Sequence, residues 1–309
     1  MKTKLLFFCF SILISSISFS QNRFTDTSVT CIAFWKNKEA RVYQIKHSKE
    51  KFEMSTLKTS TEGTFEAHLK VIDSTESGFT VEWVYKNFKA SGAPENFLNS
   101  LSTIMEGIKI VYKTDDVGMF TELINWEEVR DFAISSYEKV IANKSQTSDF
   151  IAALNQVKAI FQSKANTEAL LIKEILLFHA PFGVEYNKRG TVIETELPNV
   201  TGGNPIPASI TLKLDEINVQ KDLTRISLNQ TIDKGKAGPV IADILKKLST
   251  APLKDEAEMK RQIKEMEIRD INQYTYSISS GWINSIFYER TSNVGSLKQV
   301  ETYLITQKK

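Results

Sequence analysis

Three histidines, His47, His68 and His179, are the only imidazoles this chain offers for acid–base work near neutral pH. None stands in a His-Glu-x-x-His or similar ligand spacing. His47, in IKHSKEKF, ends a strand-like run, and His68 falls on the polar face of an alternating one. His179 closes the helix-like run EILLFH, where a charged imidazole would favour the helix dipole. All three therefore fit solvated or capping roles. Ser-x-x-Lys occurs at Ser48–Lys51, Ser55–Lys58 and Ser136–Lys139, without either companion motif of the penicillin-binding type. Three copies in unrelated contexts mark the pattern as chance. Asp115 and Asp116 are adjacent carboxylates in a loop, the place of turn formers. There is no Gly-rich phosphate loop, Cys-x-x-Cys pair or nucleophile elbow. These residues point away from an enzyme, and to no metal and no cofactor.

The N-terminus resembles a secretory leader. Lys2 and Lys4 precede the apolar run Leu5 to Ile17, which is too short to span a bilayer. Ser18 and Ser20 stand where a signal peptidase reads small residues, so cleavage is expected between Ser20 and Gln21. The expected location is then periplasmic or extracellular, with no transmembrane anchor in the mature chain. The chain has 39 Lys+Arg and 37 Asp+Glu, and the leader takes away two lysines and no acid. A balanced mature chain argues against nucleic acid as a partner. Only Cys31 remains after cleavage, so no intramolecular disulfide can form. Stability must come from a core, for which one domain over 21–309 is long enough. Cys31 alternates with Val29, Ala33 and Trp35 in SVTCIAFW and is expected to be a buried, inert thiol.

The elements that must position any site are mostly strands. TCIAFW and ARVYQI flank KNKE as an expected hairpin. TFEAHLKVI and GFTVEWVYK alternate with period two, which predicts an antiparallel sheet with one wet face. A helix is expected over PENFLNSLSTIMEG, between Pro94 and Gly107. Residues 126–179 read as a helical segment. It opens at Asn125 with Glu128 as a capping box, continues with apolar spacing from Phe150 to Phe161, and ends in a third helix from Ala169 to Phe178. VEYNKRGTVIETEL reads as a hairpin, SITLKLDEINVQ and LTRISLNQTI as a strand pair, and Gly238–Pro239 as a helix start. Residues 254–270 suggest a charged, solvated helix. The architecture expected is α+β: a largely antiparallel curved sheet from two similar halves, packed against helices.

The two halves are suggested by order. About 28–124 and about 184–306 each run hairpin, strand pair, helix, hairpin. KIVYKTDDVGMF and QYTYSISSGWI share a tyrosine strand, a polar turn and a glycine, Gly118 and Gly281. Phe65, Phe79, Trp83 and Tyr85 share the apolar faces of neighbouring strands. They are the candidate lining of a site for an apolar or amphiphilic small molecule, and equally a packed core. The hairpin of Trp35 to Glu39, the strand Val81 to Tyr85 and the hairpin Tyr112 to Gly118, behind a leader ending Ser-Gln, resemble exported bacterial proteins of unknown function. The resemblance covers mainly the first half and implies export and an α+β fold. The function expected is an exported, non-enzymatic binding or carrier protein. The alternative is a structural or protein-interaction component of the bacterial cell envelope, with an envelope protein as partner.

Overall fold

The computed structural model describes residues 24–91, 106–142, 163–197, 203–248, 261, 266–294 and 296–308. The first half gives β1 (Ser28–Thr30), β2 (Ala40–Glu53), β3 (Thr56–Thr75), β4 (Gly78–Ser91), β5 (Lys109–Thr114) and β6 (Phe120–Leu123). Helices α1 (Trp126–Ala142), α2 (Lys164–Leu171) and α3 (Lys173–His179) follow. The second half gives β7 (Glu185–Asn187), β8 (Thr191–Leu197), β9 (Ile206–Asn218), β10 (Leu223–Ile232), α4 (Lys234–Leu248), β11 (Glu267–Tyr276), β12 (Ile283–Val294) and β13 (Leu297–Gln307).

Eleven strands of the described residues form one antiparallel sheet in the order β6-β5-β4-β3-β2-β13-β12-β11-β10-β9-β8. Within each half, sheet neighbours are sequence neighbours. The halves meet where β2 pairs with β13, Ile45 opposite Ile305. No ladder among the described residues joins β6 to β8, so the sheet is open. Period-two alternation buries one face: Tyr43 and Ile45 on β2, Ala67, Leu69 and Val71 on β3, Ile286 and Tyr288 on β12, Tyr303 and Ile305 on β13. That surface is here called the core face.

The expected hairpin at KNKE is corrected. Cys31–Lys36 belongs to no strand. Its backbone groups are satisfied by loops instead. The Cys31 N–H donates to Val184 O, the Gly183 N–H to Cys31 O and the Ala33 N–H to Val117 O. The Tyr276 hydroxyl accepts from the Ile32 N–H and donates to Ile32 O at 2.7 Å. Alternation correctly gave the burial of Val29, Cys31, Ala33 and Trp35, because an extended thread through a core alternates as a strand does. Trp35 stacks on Trp282 with ring centres 4.6 Å apart. Its indole N–H donates to Gly281 O.

Other boundaries also moved. VEYNKRGTVIETEL is not a hairpin: β7 pairs with β1 in a separate two-stranded sheet, while β8 pairs with β9. The third helix is two pieces, α2 and α3, separated at Ile172. Asn125 does not make the expected capping box. Its side-chain oxygen accepts from the Val111 N–H, and its amide donates to Lys109 O and Glu128, so it ties α1 to β5. The last long helix starts at Lys234, four residues before Gly238, because the Asp233 carboxylate accepts the Gly235 and Lys236 N–H groups. Pro239 lies inside it. Residues 267–270 of the expected charged helix are strand. The rest of that helix, apart from Arg261 and Met266, and the helices expected over 94–107 and 150–161, apart from the turn at Glu106–Gly107, lie outside the described residues. Among those described, no helix is long and apolar enough to cross a membrane.

Cys31 is fully buried, and burial pushes its thiol far up from the ordinary range. Thiol labelling of native protein should be slower than in denaturant by on the order of 100-fold or more, because reaction waits for opening. Labelling at the denatured rate would contradict this packing.

Candidate functional site

The four aromatic residues singled out by alternation come together on β3 and β4, at one end of the core face. Phe65 stacks on Phe88 at 4.7 Å, and Phe79 lies 5.3 Å from Trp35. Trp83 meets Phe178 of α3 edge-on at 5.9 Å. The Tyr85 hydroxyl donates to Glu174 at 2.8 Å. All four are buried, in a cluster with Trp35, Phe178 and Phe182. The side chains against which they pack are the protein's own.

Two residues further along the central strands, the core face changes character. Strand register sets Lys49 opposite Glu301, Glu301 opposite Arg290, Arg290 opposite Asp270 and Asp270 opposite Gln230. The result is a row crossing five strands with alternating charge. Arg290 grips Asp270 with two parallel bonds, Nε donating to Oδ1 at 2.7 Å and Nη2 to Oδ2. Glu301 is held twice. His47 Nε2 lies 3.1 Å from one oxygen, and Lys173, the first residue of α3, donates to the other at 2.7 Å. The Lys173 ammonium also sits 4.9 Å from the Tyr288 ring and 5.0 Å from Tyr303, in cation–π range. His47 stacks on Tyr303 at 4.2 Å.

Burial works against the charge of Glu301. The hydrogen bond from His47 and the charge and hydrogen bond of Lys173 overcome it, and hold the carboxyl at about 2. Cations and anions are not equally covered. The Glu301 and Asp270 side chains retain 14% and 8% exposure, against 29% for Lys173 and 38% for Arg290. The carboxylates are the more covered members of the row, and Arg290 Nε and Nη2 and Lys173 Nζ are turned onto them.

Of the remaining sequence candidates, none joins this row except His47. It lies within β2, not at the end of a strand. His68 pairs with Glu66. His179 is neither solvated nor charged: it is fully buried, and burial lowers its pKa to about 4 despite the bond to Gly118. Asp115 is a turn former as expected, its carboxylate accepting the Val117 and Met119 N–H groups. Of the Ser-x-x-Lys copies, Ser48 and Lys51 lie on a strand, where such spacing points to opposite faces, and Lys58 pairs with Glu53. Among the described residues no group of three or more His, Cys, Asp or Glu side chains is placed to hold a metal ion.

No protein-family model matches the chain, and no curated protein sequence matches it significantly. A solved structure described as lipid–protein interactions in lipovitellin is similar at a TM-score of 0.40 and 9% identity over 89% of this chain. The likeness spans a quarter of that chain and carries no functional assignment.

Proposed function

We propose that the protein is exported, is cleaved after Ser20, and binds an amphiphilic ligand without transforming it. The observation that carries this reading is the charged row on a largely apolar sheet face, where the Lys173 and Arg290 side chains are more exposed than the carboxylates they hold. An acceptor-rich head group lies at Lys173 and Arg290. An apolar tail runs over the partly buried Leu228, Ile210, Ile206 and Ile268 of β9–β11. Phe65, Phe79, Trp83 and Tyr85, on β3 and β4 beyond the other side of the row, are packed by the protein's own side chains and lie off this path. Each methylene removed from water would add about 0.8 kcal/mol, so an acyl tail supplies ample affinity.

Native mass spectrometry and organic extraction of protein taken from its own compartment test the reading directly. A bound amphiphile is the expected result. Lys173→Gln should weaken uptake of a fluorescent fatty acid about tenfold, the loss of one charge-assisted contact. Lys213→Ala on β9, a half-exposed lysine away from the row, should leave it unchanged. A clean apo mass with no uptake would end the carrier reading and leave the envelope-interaction protein standing.

The same reading includes an internal duplication. Its support is the recurring order of a short strand, three long strands, an interruption and a hairpin in each half, with β13 as an addition. Gly118 and Gly281 both turn with positive φ, and a Cβ on either would strike Ala33. Superposition of 28–124 on 184–306 strand for strand tests it.

A further inference from the structure

The tip where β2 turns into β3 is built against its own stability. A two-residue hairpin turn with both φ values positive favours Asn-Gly, because other side chains strain there. Here the two residues are Met54, at φ 48, and Ser55, at φ 65. The methionine held in this position is 79% exposed. The neighbouring tip, where β12 turns into β13, is tied to it by the Met54 N–H donating to Ser296 O. Leu297 on that tip is 59% exposed, and Leu57 beside the first is 50% exposed. Three large apolar side chains thus stand in water at one end of the sheet, around a hollow of about 500 Å³ lined by Phe52, Met54, Ser55, Asn293, Ser296 and Lys298. Lysines frame them. Lys298 lies 5.8 Å from the Phe52 ring and Lys51 projects from the adjoining stretch of β2. Over 49–58 and 296–299 the sequence carries four lysines and two glutamates.

We propose that this double tip is a membrane-docking site, which inserts Met54, Leu57 and Leu297 into the interface of an anionic lipid bilayer while Lys51 and Lys298 meet the head groups. Apolar side chains at a tip with basic neighbours are what a bilayer interface rewards. Positive local charge on a chain that is otherwise balanced selects anionic lipid over zwitterionic. Lys49 and Glu301 of the charged row lie five residues from Met54 and four from Leu297 along β2 and β13, so docking would bring that part of the core face near the lipid surface. The proposal goes beyond ligand carriage, and either can fail without the other.

The test is co-sedimentation with vesicles of phosphatidylcholine alone and of phosphatidylcholine mixed with phosphatidylglycerol. A chain beginning at Gln21 keeps every described residue and removes the apolar leader as a confounder. The parent protein should bind the mixed vesicles and bind the neutral ones several-fold less. M54N/S55G should raise the melting temperature while lowering vesicle binding several-fold, a combination that misfolding cannot produce. M54E/L297E should abolish binding, and K51E/K298E should remove the anionic preference. Absence of binding by the parent, or equal binding by the folded M54N/S55G and M54E/L297E variants, overturns the proposal. So does lipid-free dimerisation that M54E/L297E abolishes, which would make a second copy the occupant.

Discussion

Between pH 6.5 and 4 the protein should lose about 3 kcal/mol of stability through His179 alone. That figure follows from a folded pKa of about 4 against an ordinary 6.5, at roughly 1.4 kcal/mol per unit. The imidazole sits between the Tyr112 hydroxyl at 2.8 Å and Gly118 O at 2.7 Å, with the rings of Trp35, Phe178 and Phe182 around it. Gly118 O only accepts, so Nδ1 carries the hydrogen and Nε2 accepts from Tyr112. The neutral ring is fully satisfied, while a second proton would face a buried hydroxyl. The unfolded chain binds that proton at pH 6.5 and the folded one resists it to about 4. The contribution is therefore complete above 6.5 and disappears as the pH falls to 4. Glu301 and Glu66, whose partners lower both to about 2, act in a separate window below their ordinary 4.5. Urea midpoints measured from pH 7.5 to 4 check this. His179→Phe should flatten the upper window, at the cost of about 2–4 kcal/mol overall for two unpaired buried groups. A wild-type midpoint that stays level between 6.5 and 4.5 would refute the assignment.

Gly281→Ala should destabilise the fold by about 3 kcal/mol or more, combining positive-φ strain with overpacking. A Cβ at that site would lie 2.5 Å from both Ile32 O and Phe34 N, and the contacted atoms are backbone. The extended thread 31–36 would have to move, and Trp35 with it. Gly107→Ala separates the two causes. Its φ is +79 and nothing lies within 4 Å, so it should show strain alone, about 1 kcal/mol. Chemical denaturation of both variants gives the difference. Equal costs would show that the thread yields freely.

Strand existence was legible in the sequence wherever one face is buried, because period two survives any choice of partner. Partners were not. SVTCIAFW looks like half of a hairpin and VEYNKRGTVIETEL like a whole one, and only the long-range bonds to Val184, Val117 and Tyr276 and the pairing of β7 with β1 and β8 with β9 show where they go. The aromatic cluster was found from its own alternation, but its depth was hidden, since nothing local says that Phe178 will lie against Trp83. His179 was misread for the same reason: a helix end suggests solvent until the rest of the chain covers it. The charged row left a signal that went unused. Glu301 continues the buried parity of Tyr303 and Ile305, Arg290 that of Ile286 and Tyr288, and His47 and Lys49 that of Tyr43 and Ile45. A charge in an inward position states that something polar awaits it across the strands.

The thread of residues 31–36 also fixes when the molecule can close. Its hydrogen-bond partners lie as far as Trp282's neighbour Gly281, some 246 positions away, and β2 waits for β13 at the opposite end of the chain. A ribosome releases the first of these residues long before the last exist. Contacts of such span are slow to form and cannot begin early. The ladders from β2 to β6 can pair early, but the thread and the outer edge of β2 stay without their partners until the second half is present. A chain so arranged can form its hairpins early, but it closes its core in one late, long-range step.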